Sequence, residues 1–164
     1  KYYERSTDPV VPEPGGKRHA AGLEFDAAGR ITPAWEVYTS VMWVPSAKID
    51  EERHGAGTGE KKGDRARLTP KFGGTLWSTY QINEQWRVGA GLNYRGKQYG
   101  LRSAALVPAF TTVDALVEYR PNEKWTIKGN VSNLSNKYYA ESLYPSFYVP
   151  GAARNVQVTA SYAF

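Results

Sequence analysis

The feature that most constrains this chain is an alternation of apolar and polar side chains that recurs along most of its length. In the final segment, 154–164, Val156, Val158 and Tyr162 occupy alternate positions, and polar or small residues lie between them. Because successive strand residues point to opposite faces, this segment is predicted to be a strand with one apolar and one polar face. Its length matches the ~9–11 residues of a tilted membrane-crossing strand, and Tyr162 and Phe164 close the apolar face with aromatic rings.

The composition favours an all-β chain. The 164 residues include 16 glycines, 5 tryptophans, 12 tyrosines and 5 phenylalanines. The mean hydropathy is −0.56, and no run approaches the ~20 apolar residues of a membrane helix. The absence of cysteine excludes a disulfide framework and a thiolate metal site. The net charge of +5 suits nucleic acid, anionic lipid or an anionic ligand and by itself selects none of them.

Alternation along the chain predicts about seven antiparallel strands. They are 17–31, 35–43, 68–82, 86–95, 113–120, 125–132 and 154–164, with a short further stretch at 2–5. Stretches rich in proline, glycine, charge or aromatic residues predict loops at 7–16, 50–64, 103–109 and 137–153. The second strand is expected to fade near Pro45, and Pro70 marks an edge, a bulge or the start of the third strand.

Three short turns end in tryptophan and form an internal repeat. They read Thr-Pro-Ala-Trp35, Asn-Glu-Gln-Trp86 and Asn-Glu-Lys-Trp125, and each Trp opens the apolar face of its strand. The other connections are long, so short turns are expected at one end of the sheet and long loops at the other. This arrangement is typical of transmembrane β-barrels, and it predicts a membrane girdle of Trp35, Trp86, Trp125, Tyr162 and Phe164.

Two other architectures are compatible with alternation. A soluble β-sandwich binding module also has one buried and one solvated face per sheet. The polar faces here are rich in Gly, Ser, Thr and Asn rather than Lys and Glu, which favours a water-lined interior. A small outer-membrane barrel with a structural or enzymatic role is the other alternative, although residues 2–5 are too few for an eighth spanning strand.

Two segments carry a family resemblance. Residues 130–139 read Asn-Val-Ser-Asn-Leu-Ser-Asn-Lys-Tyr-Tyr, and residues 144–154 read Tyr-Pro-Ser-Phe-Tyr-Val-Pro-Gly-Ala-Ala-Arg before the last strand to Phe164. With 110–114 and 16–24 before them, they resemble, in order, the C-terminal strands of TonB-dependent outer-membrane receptors of the ferric-siderophore type. Ser135 and Ala153 depart from that pattern.

The resemblance implies that residues 1–164 are the C-terminal portion of a larger barrel, and that no plug domain is present in this chain. Such transporters are 22-stranded barrels with a plugged lumen. The implied partners are the remaining barrel and plug, TonB through that portion, and the outer-membrane lipid of a Gram-negative bacterium; nucleic acid is not expected. The implied cargo is a ferric siderophore, with no covalently bound cofactor.

The candidate ligand site is the aromatic loop. We expect Tyr138, Tyr139, Tyr144, Phe147 and Tyr148 to offer flat apolar rings and hydroxyl donors to a bulky iron chelate. The cations expected near them are Arg95, Lys97, Arg102 and Arg154. The alternative is that these aromatic residues anchor the loop at the outer membrane interface.

No catalytic or metal site is predicted. His19 and His54 lack metal-ligand spacing and are interpreted as solvated or strand-lining residues. The acidic run 50–52 is interpreted as a charged loop rather than a calcium site. The glycines of 55–59 lack the ending and the helix that a phosphate-binding loop requires.

Overall fold

The computed structural model describes residues 16–51, 61–100, 105–144 and 146–164, and every regular element within them is a β-strand. The strands are β1 (Lys17–Thr32), β2 (Trp35–Glu51), β3 (Phe72–Gln81), β4 (Trp86–Arg95), β5 (Gln98–Tyr99), β6 (Leu106–Val107), β7 (Phe110–Asn122), β8 (Trp125–Ser132), β9 (Ala140–Leu143), β10 (Tyr148–Pro150) and β11 (Asn155–Tyr162). No helix in these ranges is long and apolar enough to cross a membrane. The predicted stretch at 2–5 and nearly all of the predicted loop at 7–16 lie outside the described residues.

Seven long strands form one antiparallel sheet in the order β1-β2-β3-β4-β7-β8-β11. The prediction of seven antiparallel strands is therefore confirmed. The four short strands form two hairpins, β5–β6 and β9–β10. β6, β9 and β10 lie within the predicted loops 103–109 and 137–153, whereas β5 lies just before the first of them. The turns at 33–34, 82–85 and 123–124 define what we call the short-turn end of the sheet, and both hairpins lie at the opposite, loop end.

The largest differences from the predicted strand boundaries are in β2 and β3. β2 continues past Pro45 to Glu51, because the irregularity between Ala21 and Leu23 of β1 leaves Pro45 outside the paired register, where its missing N–H costs no ladder bond. β3 begins at Phe72 rather than at Leu68, which has a φ of 53°. The segment before β3 instead runs back along β2.

The register places the apolar positions of all seven long strands on one continuous face. Tyr80 of β3, for example, is paired with Trp35 of β2 and with Val88 of β4. This apolar face is uncovered: Val156, Val158 and Tyr162 of β11 are 63%, 71% and 42% exposed. A sandwich would bury these side chains under a second sheet, so the sandwich interpretation is wrong for the described residues.

In the described part of the chain, the buried apolar side chains are few and lie at the loop end. Ala47, Ile49 and Ala66 form a small cluster with Val44 beside it. The backbone closes this cluster, since the Ala66 N–H donates to the Ala47 carbonyl at 2.9 Å and the Ile49 N–H donates to the Asp64 carbonyl at 2.9 Å. The long sheet is therefore held together mainly by its hydrogen-bond ladder. Its exposed apolar face needs an apolar environment, which a lipid bilayer supplies.

Candidate functional site

The aromatic residues at the short-turn end form cross-strand contacts on the apolar face. Trp86 stacks on Tyr119 with ring centroids 4.3 Å apart, and Trp125 lies 5.0 Å from Tyr162. Tyr162 in turn meets the ring of Phe164 edge-on at 5.3 Å. The predicted girdle residues thus lie along one end of the exposed face.

Local sequence explains why Trp86 and Trp125 each begin a strand. In the turn 82–85, Asn83 Oδ1 accepts hydrogen bonds from the Gln85 N–H at 3.0 Å and from the Trp86 N–H at 2.9 Å. In the next short turn, Asn122 Oδ1 accepts from the Lys124 N–H at 3.0 Å and from the Trp125 N–H at 3.1 Å. Asparagine side chains form such turns readily, so the repeated Asn-Glu-X-Trp sequence encodes the turn and the register of the following strand.

At the loop end, one buried asparagine contacts both ends of the aromatic loop, 137–153. The Asn133 amide accepts from the Lys137 N–H at 2.8 Å and donates to the carbonyls of Lys137 at 2.9 Å and of Ala152 at 2.8 Å. Its own N–H donates to Asp114 Oδ1 at 2.8 Å. Asn133 has a φ of 50°, a conformation that asparagine tolerates better than most residues. Asn133 therefore fixes where the aromatic loop leaves the sheet and where it returns.

The aromatic hairpin, which we define as β9, β10 and the connection between them, presents two rings at its tip. The Tyr144 N–H donates to the Phe147 carbonyl at 2.8 Å, which closes the turn. The rings of Tyr144 and Phe147 stack with centroids 4.8 Å apart and planes 13° apart, and Phe147 is 60% exposed. The tip thus offers a pair of rings to the surroundings.

Two further tyrosines meet at the base of the hairpin. Tyr138 and Tyr148 share a hydrogen bond between their hydroxyl groups, and Tyr138 is 76% exposed. This hydrogen bond raises the pKa of Tyr138, since it favours the neutral phenol over the phenolate. The pair therefore places two phenol oxygens at an exposed position, where an oxygen-rich ligand can reach them.

Tyr139 differs from the other predicted ligand residues because it packs inward. Its ring stacks on Phe110 with centroids 4.0 Å apart. Gly151 also lies against the Tyr139 ring, where a Cβ would stand 2.1 Å from it. The Gly151 N–H donates to the Tyr139 carbonyl at 2.8 Å. The contacts of Tyr139 therefore hold the hairpin against β7.

Of the cations expected near the loop, Arg95 is already engaged by the protein. Its Nη2 donates to the Glu141 carbonyl at 2.5 Å, and its guanidinium lies 5.3 Å from the centre of the Phe110 ring. Gln98 Nε2 donates to the same carbonyl at 3.0 Å. Lys97 and the side chain of Arg154 are exposed, whereas Arg102 lies outside the described residues.

The structure also brings together three side chains that sequence reasoning did not connect. His19 Nδ1 lies 2.8 Å from Asp50 Oδ1, and His19 Nε2 lies 3.0 Å from Ser46 Oγ. The pairing of β1 with β2 produces this contact, which no sequence spacing indicates. The three residues lie on a partly exposed part of the β1–β2 pair, so we interpret them as a polar link between these strands. His54 lies outside the described residues.

Taken together, the uncovered apolar face, the short turns at one end and the long connections at the other define the wall of a transmembrane β-barrel. The family model described as "TonB dependent receptor-like, beta-barrel" matches residues 3–134. The chain belongs to this family, whose members are outer-membrane β-barrels of Gram-negative bacteria.

Three relatives illustrate the similarity. The probable TonB-dependent receptor BfrD of Bordetella pertussis is 33% identical over 157 residues, covering 89% of this chain and 21% of that protein. The catecholate siderophore receptor Fiu of Escherichia coli (strain K12) is 35% identical over 159 residues, covering 91% and 20%. The crystal structure of the siderophore receptor PiuA from Acinetobacter baumannii superposes with a TM-score of 0.83 and 26% identity, covering 94% of this chain and 23% of that one. The chain thus spans about a fifth of the length of these relatives.

Proposed function

We propose that this chain is the C-terminal barrel portion of a receptor that imports a ferric siderophore across the outer membrane in a TonB-dependent manner. The observation that carries the proposal is the aromatic hairpin, which is anchored to the barrel wall and exposes rings and hydroxyl groups at the loop end. The similarity of the chain to the siderophore receptors Fiu and PiuA supports the same class of ligand.

The chemistry of the hairpin fits a ferric catecholate. Such a chelate is bulky, anionic and rich in oxygen, and its aromatic rings stack on flat side chains such as those of Tyr144 and Phe147. The hydrogen-bonded hydroxyls of Tyr138 and Tyr148 add one O–H that can donate to a ligand. Lys97 adds positive charge at the same end of the sheet, and Arg102 remains a candidate from the sequence.

The proposal includes the partners that complete the receptor. Among the residues that the structure describes, the edge strands β1 and β11 each have a neighbour on one side only. A barrel wall in lipid needs both edges paired. We propose that the remaining barrel strands supply those pairs, that a plug fills the lumen, and that TonB contacts the N-terminal portion. We propose no catalytic role and no nucleic-acid partner for this chain.

We also propose that the row Trp35, Trp86, Trp125, Tyr162 and Phe164 contacts the membrane interface at the short-turn end. Amphipathic rings of this kind favour the boundary between hydrocarbon and water. Their support is the exposed position of each ring on the apolar face.

The ligand role is tested on the full-length receptor in outer-membrane vesicles. The variant carries Tyr144→Ala with Phe147→Ala, and the probe is a radiolabelled synthetic ferric tris-catecholate. Loss of two stacking rings is expected to weaken binding about tenfold. Leu106→Ala is the matched control, because Leu106 is exposed at the same end but lies outside the hairpin. Unchanged binding by a normally assembled double variant would show that these rings are not part of the site.

A further inference from the structure

The base of the aromatic hairpin places two phenol oxygens side by side. Tyr138 precedes β9 and Tyr148 begins β10, and their hydroxyl groups share a hydrogen bond. Tyr138 is 76% exposed and Tyr148 is 47% exposed. Within the part of the chain that the structure describes, neither hydroxyl has a second protein partner. Both oxygens therefore keep lone pairs that a group from outside the chain can reach.

The main chain on either side of Tyr138 is held in place. The preceding residue, Lys137, forms two hydrogen bonds with the Asn133 side chain, at 2.8 and 2.9 Å. The carbonyl of the following residue, Tyr139, accepts a hydrogen bond from the Gly151 N–H at 2.8 Å. These contacts fix the position of Tyr138 in the chain, although its own ring remains exposed.

Tyr148 is held by a different set of contacts. It is paired with Leu143 across the aromatic hairpin, and its neighbour Val149 is paired with Ser142. The two phenols are thus attached to separately anchored segments that lie 10 residues apart in the sequence. Groups held in this way are preorganised, so a ligand that needs both loses little conformational entropy when it binds.

The separation of the two oxygens suits a metal ion. With metal–oxygen bonds of ~2.0 Å, adjacent ligands on an octahedral ion lie about 2.8 Å apart, which is an ordinary hydrogen-bond separation of two oxygens. Phenolate is a hard oxygen ligand, and tyrosine ligates iron in some haem proteins. Tyr138 and Tyr148 therefore offer the same donor set as one catechol, namely two adjacent aromatic oxygens.

The number of catechol groups in a chelator decides whether iron can use these oxygens. Three catechols fill all the positions of an octahedral ferric ion, whereas two catechols leave two positions to water. A ferric tris-catecholate can therefore only accept a hydrogen bond from the tyrosine pair. A ferric bis-catecholate can exchange its two waters for the two phenol oxygens.

We propose that Tyr138 and Tyr148 bind ferric iron directly and complete the coordination of a complex whose chelator leaves two adjacent positions open. This inference rests on the proposed function, since the receptor must bring the iron complex to the hairpin. Each phenol O–H bond breaks, each oxygen forms a bond to iron in place of one water, and the two protons pass to solvent. The iron stays ferric, so no electron is transferred.

The site gives the receptor a preference for incompletely chelated iron. A complex that arrives with two bound waters gains two iron–oxygen bonds at the hairpin, and a fully chelated complex gains none. A purely structural role, in which the two hydroxyls only join the base of the hairpin, would give no such preference. The two roles are therefore distinguished by the spectrum of the bound iron and by the choice of chelator.

The first experiment examines bound iron in the full-length receptor in detergent micelles. The probe is ferric nitrilotriacetate, a catechol-free complex that leaves two adjacent positions to water. Iron-bound phenolate absorbs visible light by charge transfer and gives resonance-enhanced ring vibrations in the Raman spectrum. We expect both signals, and we expect the vibrations to shift when the receptor contains ring-deuterated tyrosine. Their absence from the unmodified receptor would overturn the inference.

Paired variants locate the iron. The test variant carries Tyr138→Phe with Tyr148→Phe, which keeps both rings and removes both oxygens. Tyr99→Phe is the matched control, because Tyr99 is 38% exposed at the same end of the sheet but lies outside the pair. We expect the phenolate signals to vanish in the test variant and to persist in the control. Signals that persist in the test variant would place the iron on other residues and overturn the assignment.

The second experiment compares two synthetic probes, a ferric bis-catecholate and a ferric tris-catecholate. We expect the test variant to lose about tenfold more affinity for the bis-catecholate than for the tris-catecholate, because only the former loses bonds to iron. The Tyr99→Phe control should bind both probes as the parent does. Equal losses of affinity for the two probes in the test variant would show that the pair does not ligate iron.

The two proposals fail separately. A receptor that binds the tris-catecholate but shows no phenolate signal would keep the proposed function and lose the iron site. A receptor that binds neither catecholate but shows the signals with ferric nitrilotriacetate would contradict the proposed function, and the iron site would stand.

Discussion

The two ends of the sheet are built on different principles. At the short-turn end, each Asn closes a turn with partners two and three residues away, and a tryptophan follows it. At the loop end, Asn133 reaches the Ala152 carbonyl 19 residues away, and Arg95 reaches the Glu141 carbonyl 46 residues away. Local sequence thus determines the short-turn end, and long-range contacts determine the loop end. Substitutions at the loop end should therefore destabilise more residues, and by a larger free energy, than substitutions at the short-turn end.

The largest effect is expected for Asn133→Ala. The substitution removes the side-chain contacts with Lys137 and Ala152 and places alanine at a φ of 50°. Leaving buried groups without partners costs ~1–3 kcal/mol, so we expect about 3 kcal/mol of lost local stability. Hydrogen exchange across 136–154 in the full-length receptor measures it. Asn130→Ala on β8 is the control, and equal exchange in both variants would refute the role of Asn133.

A smaller effect is expected for Gly151→Ala. The new Cβ would stand 2.1 Å from the Tyr139 ring and would displace it from Phe110. Overpacking of this kind costs ~1–3 kcal/mol, and we expect about 2 kcal/mol. The measurement is amide hydrogen exchange at the aromatic hairpin, followed as a function of urea concentration. Gly129→Ala serves as the control, since nothing lies within 4 Å of a Cβ there; a matching loss in the control would contradict the packing argument.

Arg95→Lys tests whether Arg95 positions the hairpin or binds the ligand. Lysine keeps the charge but loses the guanidinium contact with Phe110 and the hydrogen-bond geometry at Glu141. We expect roughly tenfold faster exchange at 140–143, from the loss of about 1.4 kcal/mol. Ferric catecholate binding should weaken in parallel and recover when the hairpin is cross-linked. Weaker binding with unchanged exchange would instead make Arg95 a ligand contact.

At the short-turn end, Asn122→Ala should have a local effect. It removes the acceptor for the Lys124 and Trp125 amides, which is expected to cost about 1 kcal/mol. Hydrogen exchange should rise only in the 122–125 turn. If exchange rose at the aromatic hairpin as well, the contrast between local and long-range ends would not hold.

The smallest effect concerns Tyr138. Its pKa is raised by the hydrogen bond to Tyr148, so the contact is fully present below the ordinary tyrosine pKa and is lost as pH rises through the raised value. Tyr148→Phe should return the Tyr138 pKa toward its ordinary value without changing the fold. Ultraviolet titration of phenolate absorbance measures the shift, and an unchanged titration would show that the two hydroxyls are not paired.

The same contrast explains what could be predicted from the sequence. Alternation predicted the seven long strands and their apolar face, because strand geometry is a period-two property of local sequence. The Asn-Glu-X-Trp turns were evident for the same reason. Three features could not be predicted in this way: the aromatic hairpin, the inward packing of Tyr139 and the contacts of Arg95. Each depends on partners that only the assembled sheet brings close. The resemblance of 130–139 pointed to the family, but the role of Asn133 depends on Ala152, which only the folded chain brings beside it.

The continuation of β2 past Pro45 shows the same limit. A proline predicts the end of a strand where the ladder needs an N–H donor, because proline has none. Here Pro45 lies where the pairing of β1 with β2 shifts, a feature that depends on both strands and on the segment 61–71 beyond them. Sequence reasoning about one strand could not find it.

The central claim is that the apolar face of this sheet meets lipid and the polar face meets water. It is tested by spin labels placed singly at Val158 and at Gln157 of the full-length receptor in bilayers. The account predicts that the label at 158 is relaxed by oxygen and protected from a water-soluble nickel complex, and that the label at 157 shows the reverse. Two labels protected equally from both reagents, as under a second protein layer, would contradict it.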